Sequence, residues 1–429
     1  MELSDVRTRV LRTLGIAALA AAPLCAQRPS EANYDEAKVP AYTLPDPLVT
    51  AGGQHVTKAT WPARRRELLE IFAREMYGHT PTASKALGSP VVNDAAGVLG
   101  GLAVRRQVTF TPASTTLGPI RVLIYRPAAA KGPVPVFLSL NFQGNHAINP
   151  DPGIDLSTSW LPSDDQGVVN HRATERSRGA DRSRWPLETI LSRGYALATA
   201  YYGDFDPDVV GGFDHGVQTL FYRPGQSSPG PDEWGAIGGW AWGLSRILDY
   251  IATDASLDAR RVAVLGHSRL GKAALWAAAQ DERFAIAISN ESGCGGAALS
   301  KRIYGETVKA INDQFPHWFA GTFKKYNGRE ADLPIDQHEL LALIAPRPLY
   351  VASAQGDQWA DPKGEFLSAV HADPVYALLG VEGLGVTEMP AVDHPVGKTV
   401  RYHVRTGEHD VRPYDWEQYL AFADAQWKH

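Results

Sequence analysis

Cysteine is nearly absent from this chain of 429 residues, which contains only Cys25 and Cys294. We predict below that Cys25 belongs to a cleaved N-terminal segment, so Cys294 would be the single cysteine of the mature chain. One cysteine cannot form an internal disulfide, and the hydrophobic core must therefore supply the stability of the fold. Cys294 is also a poor candidate for a nucleophile, because no strand–turn–helix pattern presents it.

The sequence also lacks long hydrophobic runs, an excess of basic residues and a complete metal-binding motif. No stretch reaches the roughly 18 apolar residues of a membrane-spanning helix, and the net charge of −5 offers no basic surface for nucleic acid. Asp204–Asp208 resembles the start of a calcium loop, but Val209 and His215 stand where an EF-hand needs glycine and glutamate. We therefore expect no membrane-spanning segment, no nucleic-acid partner and no bound metal or cofactor. We also expect a monomer.

Residues 1–26 have the pattern of a secretory signal peptide. A basic part, a short apolar core and a cleavage-like site follow one another: Arg7, Arg9 and Arg12, then Leu14–Ala22, then Leu24–Ala26. The residues before Cys25 are a poor context for lipid attachment. We expect a secreted or periplasmic protein, and we expect residues 27–429 to form one domain, because the candidate catalytic residues span more than half of the chain.

The stretch around Ser268 has the pattern of a nucleophile elbow. An apolar run ends at Gly266, Ser268 follows, and a helical pattern rich in alanine begins just beyond Gly271. Such a turn lifts the serine Oγ clear of the backbone and aims the free N–H groups of the helix start at a developing oxyanion. The spacing is G-x-S-x-x-G rather than the commoner G-x-S-x-G, and an ordinary serine in a strand-to-helix turn remains the alternative.

Two cations accompany this serine. Arg269 follows it directly, and Lys272 lies one helical turn after it on the same face. The N-terminal end of a helix favours anions, so the helix dipole gives no reason for cations at this position. The site is therefore expected to handle a negative charge, on an oxyanion or on an anionic group of substrate or product.

Strands alternate with helices along the chain, which predicts a mostly parallel sheet. Helices are predicted from Thr60 to Gly78 and over Trp234–Asp249. The predicted strands are Leu102–Val104, Val108–Phe110, Ile120–Tyr125, Val134–Leu140, Tyr195–Tyr201, the strand before Ser268, Ala285–Ser289 and Leu349–Ser353. With the elbow, this order predicts an α/β-hydrolase fold, a three-layer αβα sandwich with a mostly parallel central sheet.

A histidine and an acid are needed to activate the serine. His409 is the preferred base because it lies in a short glycine-containing loop near the end of the chain, with His403 and His394 as reserves. Glu291 and Asp357 each follow a predicted strand, and both strand ends could lie on the edge that bears the elbow.

Two further loops belong to the predicted site. The loop Asn141–His146 follows a buried strand, where an α/β-hydrolase takes its second oxyanion donor. A second loop carries Arg172, Arg176, Arg178, Arg182 and Arg184. It is interpreted either as a solvated loop or as a cleft wall that meets an anionic polymer.

The chain resembles the glucuronoyl esterases, carbohydrate esterase family 15. Gly266–Lys272 is similar to the family signature G-C-S-R-x-G-K, with His267 in place of the cysteine that fungal members use in a disulfide. The resemblance continues from about Val134 onward through these segments: Asn290–Gly293, Tyr304–Thr307, Phe315–Trp318 and Gly356–Pro362. Because His267 replaces that cysteine, the chain resembles a disulfide-free bacterial member of the family.

The resemblance implies hydrolysis of the ester between 4-O-methyl-glucuronate side chains of glucuronoxylan and lignin alcohols. It implies Ser268 as nucleophile, His409 as base, Glu291 as acid and Arg269 as oxyanion support. Some relatives keep a second acid, which Asp357 would be. Positions that hold the sugar are implied at Lys272, Glu306, Gln314 and Trp359. Another carbohydrate esterase, such as an acetyl xylan esterase, and an inactive carbohydrate-binding protein remain as alternatives.

Overall fold

A computed structural model of the protein describes residues 32–81, 87–114, 116–162 and 165–427. The predicted signal peptide lies outside these residues. The described part contains a ten-stranded sheet with the strand order β1-β2-β3-β5-β4-β6-β7-β8-β10-β9. Its strands are β1 (Val91–Val98), β2 (Ala103–Phe110), β3 (Ile120–Pro127), β4 (Val134–Asn141), β5 (Ala196–Tyr201), β6 (Leu257–His267), β7 (Ile286–Asn290), β8 (Leu349–Ala354), β9 (Val396–Gly397) and β10 (Val400–Arg405).

The centre of the sheet is parallel and its margins are antiparallel. Strands β5, β4, β6, β7, β8 and β10 run parallel to their neighbours in that order. Strands β1, β2 and β3 form an antiparallel meander at one margin, and β9 pairs antiparallel with β10 at the other. The parallel strands therefore present all their carboxyl ends at one edge, where ligands bind in open α/β sheets.

Helices cover both faces of the sheet. They are α1 (Trp61–Phe72), α2 (Leu187–Ser192), α3 (Ala236–Ile251), α4 (Arg269–Gln280), α5 (Val308–Gln314), α6 (Gln337–Ala342), α7 (Pro362–Leu379) and α8 (Pro413–Trp427). Apolar side chains of α1, α3, α4, α6 and α7 pack in one core with one face of the sheet, while those of α2 and α8 pack in a second core on the other face.

Strand β4 shows how the sequence produces this sandwich. All eight of its residues are buried, as its nearly continuous apolar sequence predicts. Val136 and Leu138 point into the larger core, and Phe137 between them points into the smaller one. The predicted α/β-hydrolase sandwich is thereby confirmed. Every helix in the described part of the chain is too short or too polar to cross a membrane.

Predicted and observed elements differ mainly at the margins of the sheet. Leu102–Val104 and Val108–Phe110, predicted as separate strands, form the single strand β2 apart from Leu102. Strand β1 was not predicted because most of its residues are exposed and do not alternate. Helix α1 continues beyond Phe72 as a π-helical turn over Ala73–Tyr77, so the predicted first helix reaches Gly78 as expected. A Cβ on Gly78 would lie 2.4 Å from the backbone of Glu233.

Candidate active site

Ser268 lies at a sharp turn between β6 and α4. Its backbone angles are φ 56° and ψ −128°, a strained conformation for a residue other than glycine, and its N–H donates to the carbonyl of Asn290 at 2.9 Å. A Cβ on Gly266 would lie 1.9 Å from the carbonyl oxygen of Leu270, and one on Gly271 would lie 2.9 Å from the Ser292 Cβ. Both glycines are required by close approach, which explains the G-x-S-x-x-G spacing.

His409 faces two carboxylates. Its Nδ1 lies 2.6 Å from Asp357 Oδ2 and 3.2 Å from Glu291 Oε2. Glu291 directly follows β7, Asp357 follows β8 and His409 follows β10. Because these three strands are parallel neighbours, their loops meet at one sheet edge. The histidine side chain is 39% exposed, while both carboxylates are buried.

Burial and these contacts shift the pKa values of the group. Burial raises the pKa of Glu291 to about 7, although hydrogen bonding to His409 and the charges of His409 and Arg405 oppose the rise. Burial alone would lower the pKa of His409, but its bonds to Asp357 and Glu291 raise it to about 9. The protonated imidazole is therefore the favoured form beside this pair of carboxylates.

Arg405 joins Glu291 to the histidine loop. This buried side chain ends β10, and its Nη2 donates to Glu291 Oε1 at 2.5 Å and to the carbonyls of Glu408 and Asp410 at 3.1 and 2.6 Å. Its Nε donates to both carboxylate oxygens of Asp415, at 3.1 and 2.9 Å. Sequence reasoning missed Arg405, because nothing in a strand-end arginine signals that it is buried.

Arg269 is held on the other side of Ser268. Its Nη1 donates to Asp208 Oδ2 at 2.5 Å, and its guanidinium carbon lies 4.6 Å from the ring centre of Trp318. Asp208 also accepts hydrogen bonds from Tyr202, His317 and Trp318. Burial alone would raise the pKa of Asp208, but Arg269, His317 and Trp318 lower it to about 2. Asp208 was noted in the sequence only as part of the rejected calcium loop.

The four positions implied for sugar binding lie in different surroundings. Lys272 is buried, with its Nζ donating to the carbonyl of Ser292 at 2.5 Å and lying 3.8 Å from Glu306 Oε2. The N–H of Glu306 donates to the carbonyl of Trp359, and the Trp359 residue is partly exposed. Gln314 is also partly exposed and ends α5. Lys272, Glu306 and Trp359 are therefore neighbours beside the elbow helix.

A cavity of about 240 Å³ opens beside the serine. Ser268, Arg269 and His409 line it together with Phe142 and Gln143 from the loop after β4 and with Arg184. The predicted oxyanion loop therefore reaches the cavity. Among the clustered arginines, Arg184 lies at its wall, and its Nε donates to Asp410 Oδ1 at 2.6 Å.

The reserve histidines lie elsewhere. His403 is buried in β10 between Tyr350 and Asp415, at 2.8 and 2.9 Å. His394 is exposed, and its Nδ1 contacts the carbonyl of Val392 at 2.8 Å. His267, beside the serine, is buried with its ring centre 4.5 Å from that of His409. Only His409 among the three candidate bases shares the cavity with Ser268 in the described residues.

One cluster in the described part of the chain has the spacing of metal ligands. It consists of Glu291, Asp357 and His409, whose nearest ligand atoms lie within 4.8 Å of one another. The Nδ1 of His409 already contacts both carboxylates, and Glu291 also accepts from Arg405 and from the N–H of Asp410. The polar atoms of this cluster therefore already have hydrogen-bond or ion-pair partners within the protein.

Known proteins match the chain over nearly all of its length. A family model for fungal glucuronyl esterases matches residues 224–380. The carbohydrate esterase MZ0003 from an unknown prokaryotic organism is 49% identical, over 92% of each chain. A 4-O-methyl-glucuronoyl methylesterase from Neurospora crassa is 27% identical, over 77% of this chain and 71% of the relative.

Solved structures agree with these sequence matches. The glucuronoyl esterase from Solibacter usitatus is 51% identical, with a TM-score of 0.86 over 91% of this chain and 100% of that chain. A CE15 glucuronoyl esterase from Teredinibacter turnerae is 35% identical, with a TM-score of 0.78 over 94% of both chains. The chain is an esterase, and it belongs to carbohydrate esterase family 15, the glucuronoyl esterases.

Proposed function

We propose that this enzyme hydrolyses the ester that links 4-O-methyl-glucuronate side chains of glucuronoxylan to lignin alcohols, through an acyl-enzyme on Ser268. One observation carries the proposal. A serine in a strained elbow shares a cavity with a histidine that is bonded to two carboxylates, and an arginine directly follows that serine. Family membership supplies the uronate ester as the substrate class.

In the acylation step, His409 acts as the general base. In the neutral form of the imidazole, its Nδ1–H donates to Asp357 and Glu291, so the unprotonated Nε2 is free to accept the hydroxyl proton of Ser268. Ser268 Oγ then forms a bond to the uronate carbonyl carbon. The C–O bond to the alcohol breaks, and the proton passes from Nε2 to the leaving alcohol oxygen.

In the deacylation step, water takes the place of Ser268 as the attacking group. His409 takes a proton from the water, whose oxygen bonds to the acyl carbon, and returns that proton to Ser268 Oγ as the acyl bond breaks. The products are the alcohol and the uronic acid, which loses its proton to solvent and becomes a carboxylate. Each tetrahedral intermediate places a negative charge on the former carbonyl oxygen.

The oxyanion is assigned to the start of α4 and to Arg269. The N–H of the residue after the serine is a standard donor of this fold, and the Arg269 guanidinium adds a full positive charge. Asp208 and the Trp318 ring hold that guanidinium in place before substrate binds. Preorganised charge of this kind stabilises the transition state without reorganisation.

The sugar is assigned to Lys272, Glu306 and Trp359 beside the elbow helix, and to Gln314 at the end of α5. Lys272 and Glu306 offer a charged pair, Gln314 an amide and Trp359 a partly exposed indole. An indole face suits the apolar face of a sugar ring, and the charged pair suits its hydroxyl groups. These four roles rest on the family resemblance.

The test is a rate comparison on three esters. Benzyl glucuronate should have the highest kcat/KM, methyl galacturonate a lower one, and acetylated xylan the lowest. Purified Ser268→Ala provides the blank for each substrate. Faster release of acetate than of benzyl alcohol would replace the proposal by the acetyl xylan esterase alternative, and no turnover of any ester would favour the binding-protein alternative.

We also propose that the enzyme acts outside the cytoplasm. The basic and apolar pattern of residues 1–26 supports export, and xylan and lignin lie outside cells. Expression of the full chain with its N-terminus, followed by N-terminal sequencing of the exported form, should give a mature start near residue 27. Retention of the full-length chain in the cytoplasm would contradict export.

A further inference from the structure

We propose that Arg405 is a positioning residue that fixes His409 for proton transfer. This inference rests on the proposed function, because it assigns Arg405 a role in the work of that histidine. The guanidinium binds the backbone on both sides of His409 and also binds the carboxylate of Glu291 that faces the imidazole.

The first argument concerns the loop that carries His409. The loop runs from the end of β10 to the start of α8, and the histidine side chain is 39% exposed. Arg405 donates to the carbonyls of Thr406, Glu408 and Asp410. The loop carbonyls therefore wrap around one buried cation, and this cation sets the position of the exposed histidine.

The second argument concerns Glu291. One carboxylate oxygen accepts from Arg405 at 2.5 Å, and the other accepts from the N–H of Asp410 at 3.0 Å and faces His409 Nδ1 at 3.2 Å. Both orientation and charge of this carboxylate thus depend on Arg405. Asp357 shows no contact with Arg405, and it has the shorter distance to the imidazole, 2.6 Å.

The third argument concerns the anchor of Arg405 itself. Asp415 accepts from its Nε with both oxygens, and Asp415 is held by His403 and by the N–H of Arg412. All of these side chains except Arg412 are buried. A lysine cannot reproduce the planar set of donors that joins Asp415, Glu291 and the loop carbonyls.

The test uses Arg405→Lys with a matched control. Arg64→Lys changes another buried arginine, which pairs with the buried Glu339 at 3.1 Å in the contact of α1 with α6. Both variants are expected to lose thermal stability. Arg405→Lys should lower kcat on benzyl glucuronate by about 10²-fold, because misplacement by about 1 Å has this effect, while KM changes by less than about threefold. Arg64→Lys should leave kcat within about twofold of the parent.

A folded Arg405→Lys with kcat lowered by less than about tenfold, or with a loss confined to KM, overturns the proposal. Labelling of Ser268 by a fluorophosphonate is measured in parallel, since it reports the activated serine whichever ester the enzyme prefers. It should be slowed in Arg405→Lys and unchanged in Arg64→Lys. If the parent labels rapidly but does not turn over glucuronate esters, the proposed substrate fails while the role of Arg405 stands.

A second pair of variants covers the case in which Arg405→Lys does not fold. Arg405→Gln/Glu291→Gln removes one buried positive and one buried negative charge together, so Glu291 is not left as an unpaired charge, and Asp415 keeps its contacts with His403 and the N–H of Arg412. Its kcat should be at least about tenfold below that of Glu291→Gln alone, because the loop carbonyls also lose their anchor. Equal kcat values for these two variants would overturn the proposal.

Discussion

The two sides of Ser268 carry different charge. The histidine side consists of Glu291, Asp357, Arg405, His409 and Asp415, which have three carboxylates and one permanent cation. Its formal charge is −2 when the imidazole is neutral.

The arginine side consists of Asp208, Arg269, Lys272, Glu306 and Trp318. It has two cations and two carboxylates, with a formal charge of zero. Its Asp208 holds the Arg269 guanidinium in place, and its Glu306 lies beside Lys272.

This difference matches the charge separation of an acyl transfer. The transition state develops a positive charge on the imidazole and a negative charge on the carbonyl oxygen. In the proposed mechanism, the excess of negative charge stabilises the imidazolium, and the fixed guanidinium next to the serine stabilises the oxyanion. The comparison therefore predicts which kinetic quantity each substitution changes.

The largest effect is expected at the residue that both sides share. Ser268→Ala should remove nearly all turnover, by several orders of magnitude, since loss of a triad member has this consequence. Thermal stability should change little, because the side chain is small and lies at a turn. Steady-state rates and melting curves measure both; activity within tenfold of the parent would exclude the elbow assignment.

The next effect tests the arginine side alone. Arg269→Met keeps much of the packing against Trp318 and removes the charge, so kcat should fall about 10²- to 10³-fold with a smaller change in KM. Arg269→Lys is the control and should recover part of the loss. A change confined to KM would instead make Arg269 a contact to the ground-state sugar.

The histidine side should show redundancy. Asp357→Asn and Glu291→Gln each leave one carboxylate beside His409, so each should lower kcat by only about 10- to 10²-fold. Asp357→Asn should be the more damaging, because Asp357 lies closer to the imidazole Nδ1 than Glu291 does. A larger loss in Glu291→Gln would instead make Glu291 the main acid, as the family resemblance implies. The double variant should lose more than the product of both single losses, and purely multiplicative losses would mean that only one carboxylate serves His409.

The smallest effect is a shift along the pH axis. The pKa of His409 is raised from 6.5 to about 9; burial opposes the rise, and Asp357 and Glu291 cause it. A base must be neutral, so kcat/KM should rise with pH through this pKa. Asp357→Asn should move this rise in kcat/KM to lower pH. The protonated imidazole also stabilises the fold fully below about pH 6.5, and this contribution is lost as the pH rises toward 9. If kcat/KM of Asp357→Asn rises at the same pH as that of the parent, the charge of Asp357 does not act on His409.

Local patterns were sufficient to predict the centre of the molecule. Apolar runs gave most of the buried parallel strands, and the strand ends before Glu291 and Asp357 predicted both carboxylates at the edge that carries Ser268. His409 was predicted from its glycine-containing loop near the end of the chain, whereas the strand β10 that precedes it was not predicted. These features depend on spacing and alternation within short segments. The loops that carry Ser268, Glu291 and Asp357 follow predicted parallel strands, so the fold class alone makes these three loops neighbours.

The remaining features depend on contacts between distant segments. Helical spacing puts Lys272 on the face of Ser268, but it cannot show that the loop after β7 covers the side chain. The pairs Arg269–Asp208 and Arg405–Glu291 join residues 61 and 114 positions apart. A charged residue at a strand end is usually exposed, so the buried network of Arg405 has no local signal.

The most direct test of the account is to map where a fluorophosphonate reacts. The intact protein is labelled, digested and analysed by mass spectrometry, with Ser268→Ala and His409→Ala treated in parallel. We expect the label on Ser268, no label in Ser268→Ala, and slow labelling in His409→Ala because the serine has lost its base. A label on another residue, or equal labelling of the His409→Ala variant and the parent, would contradict the account.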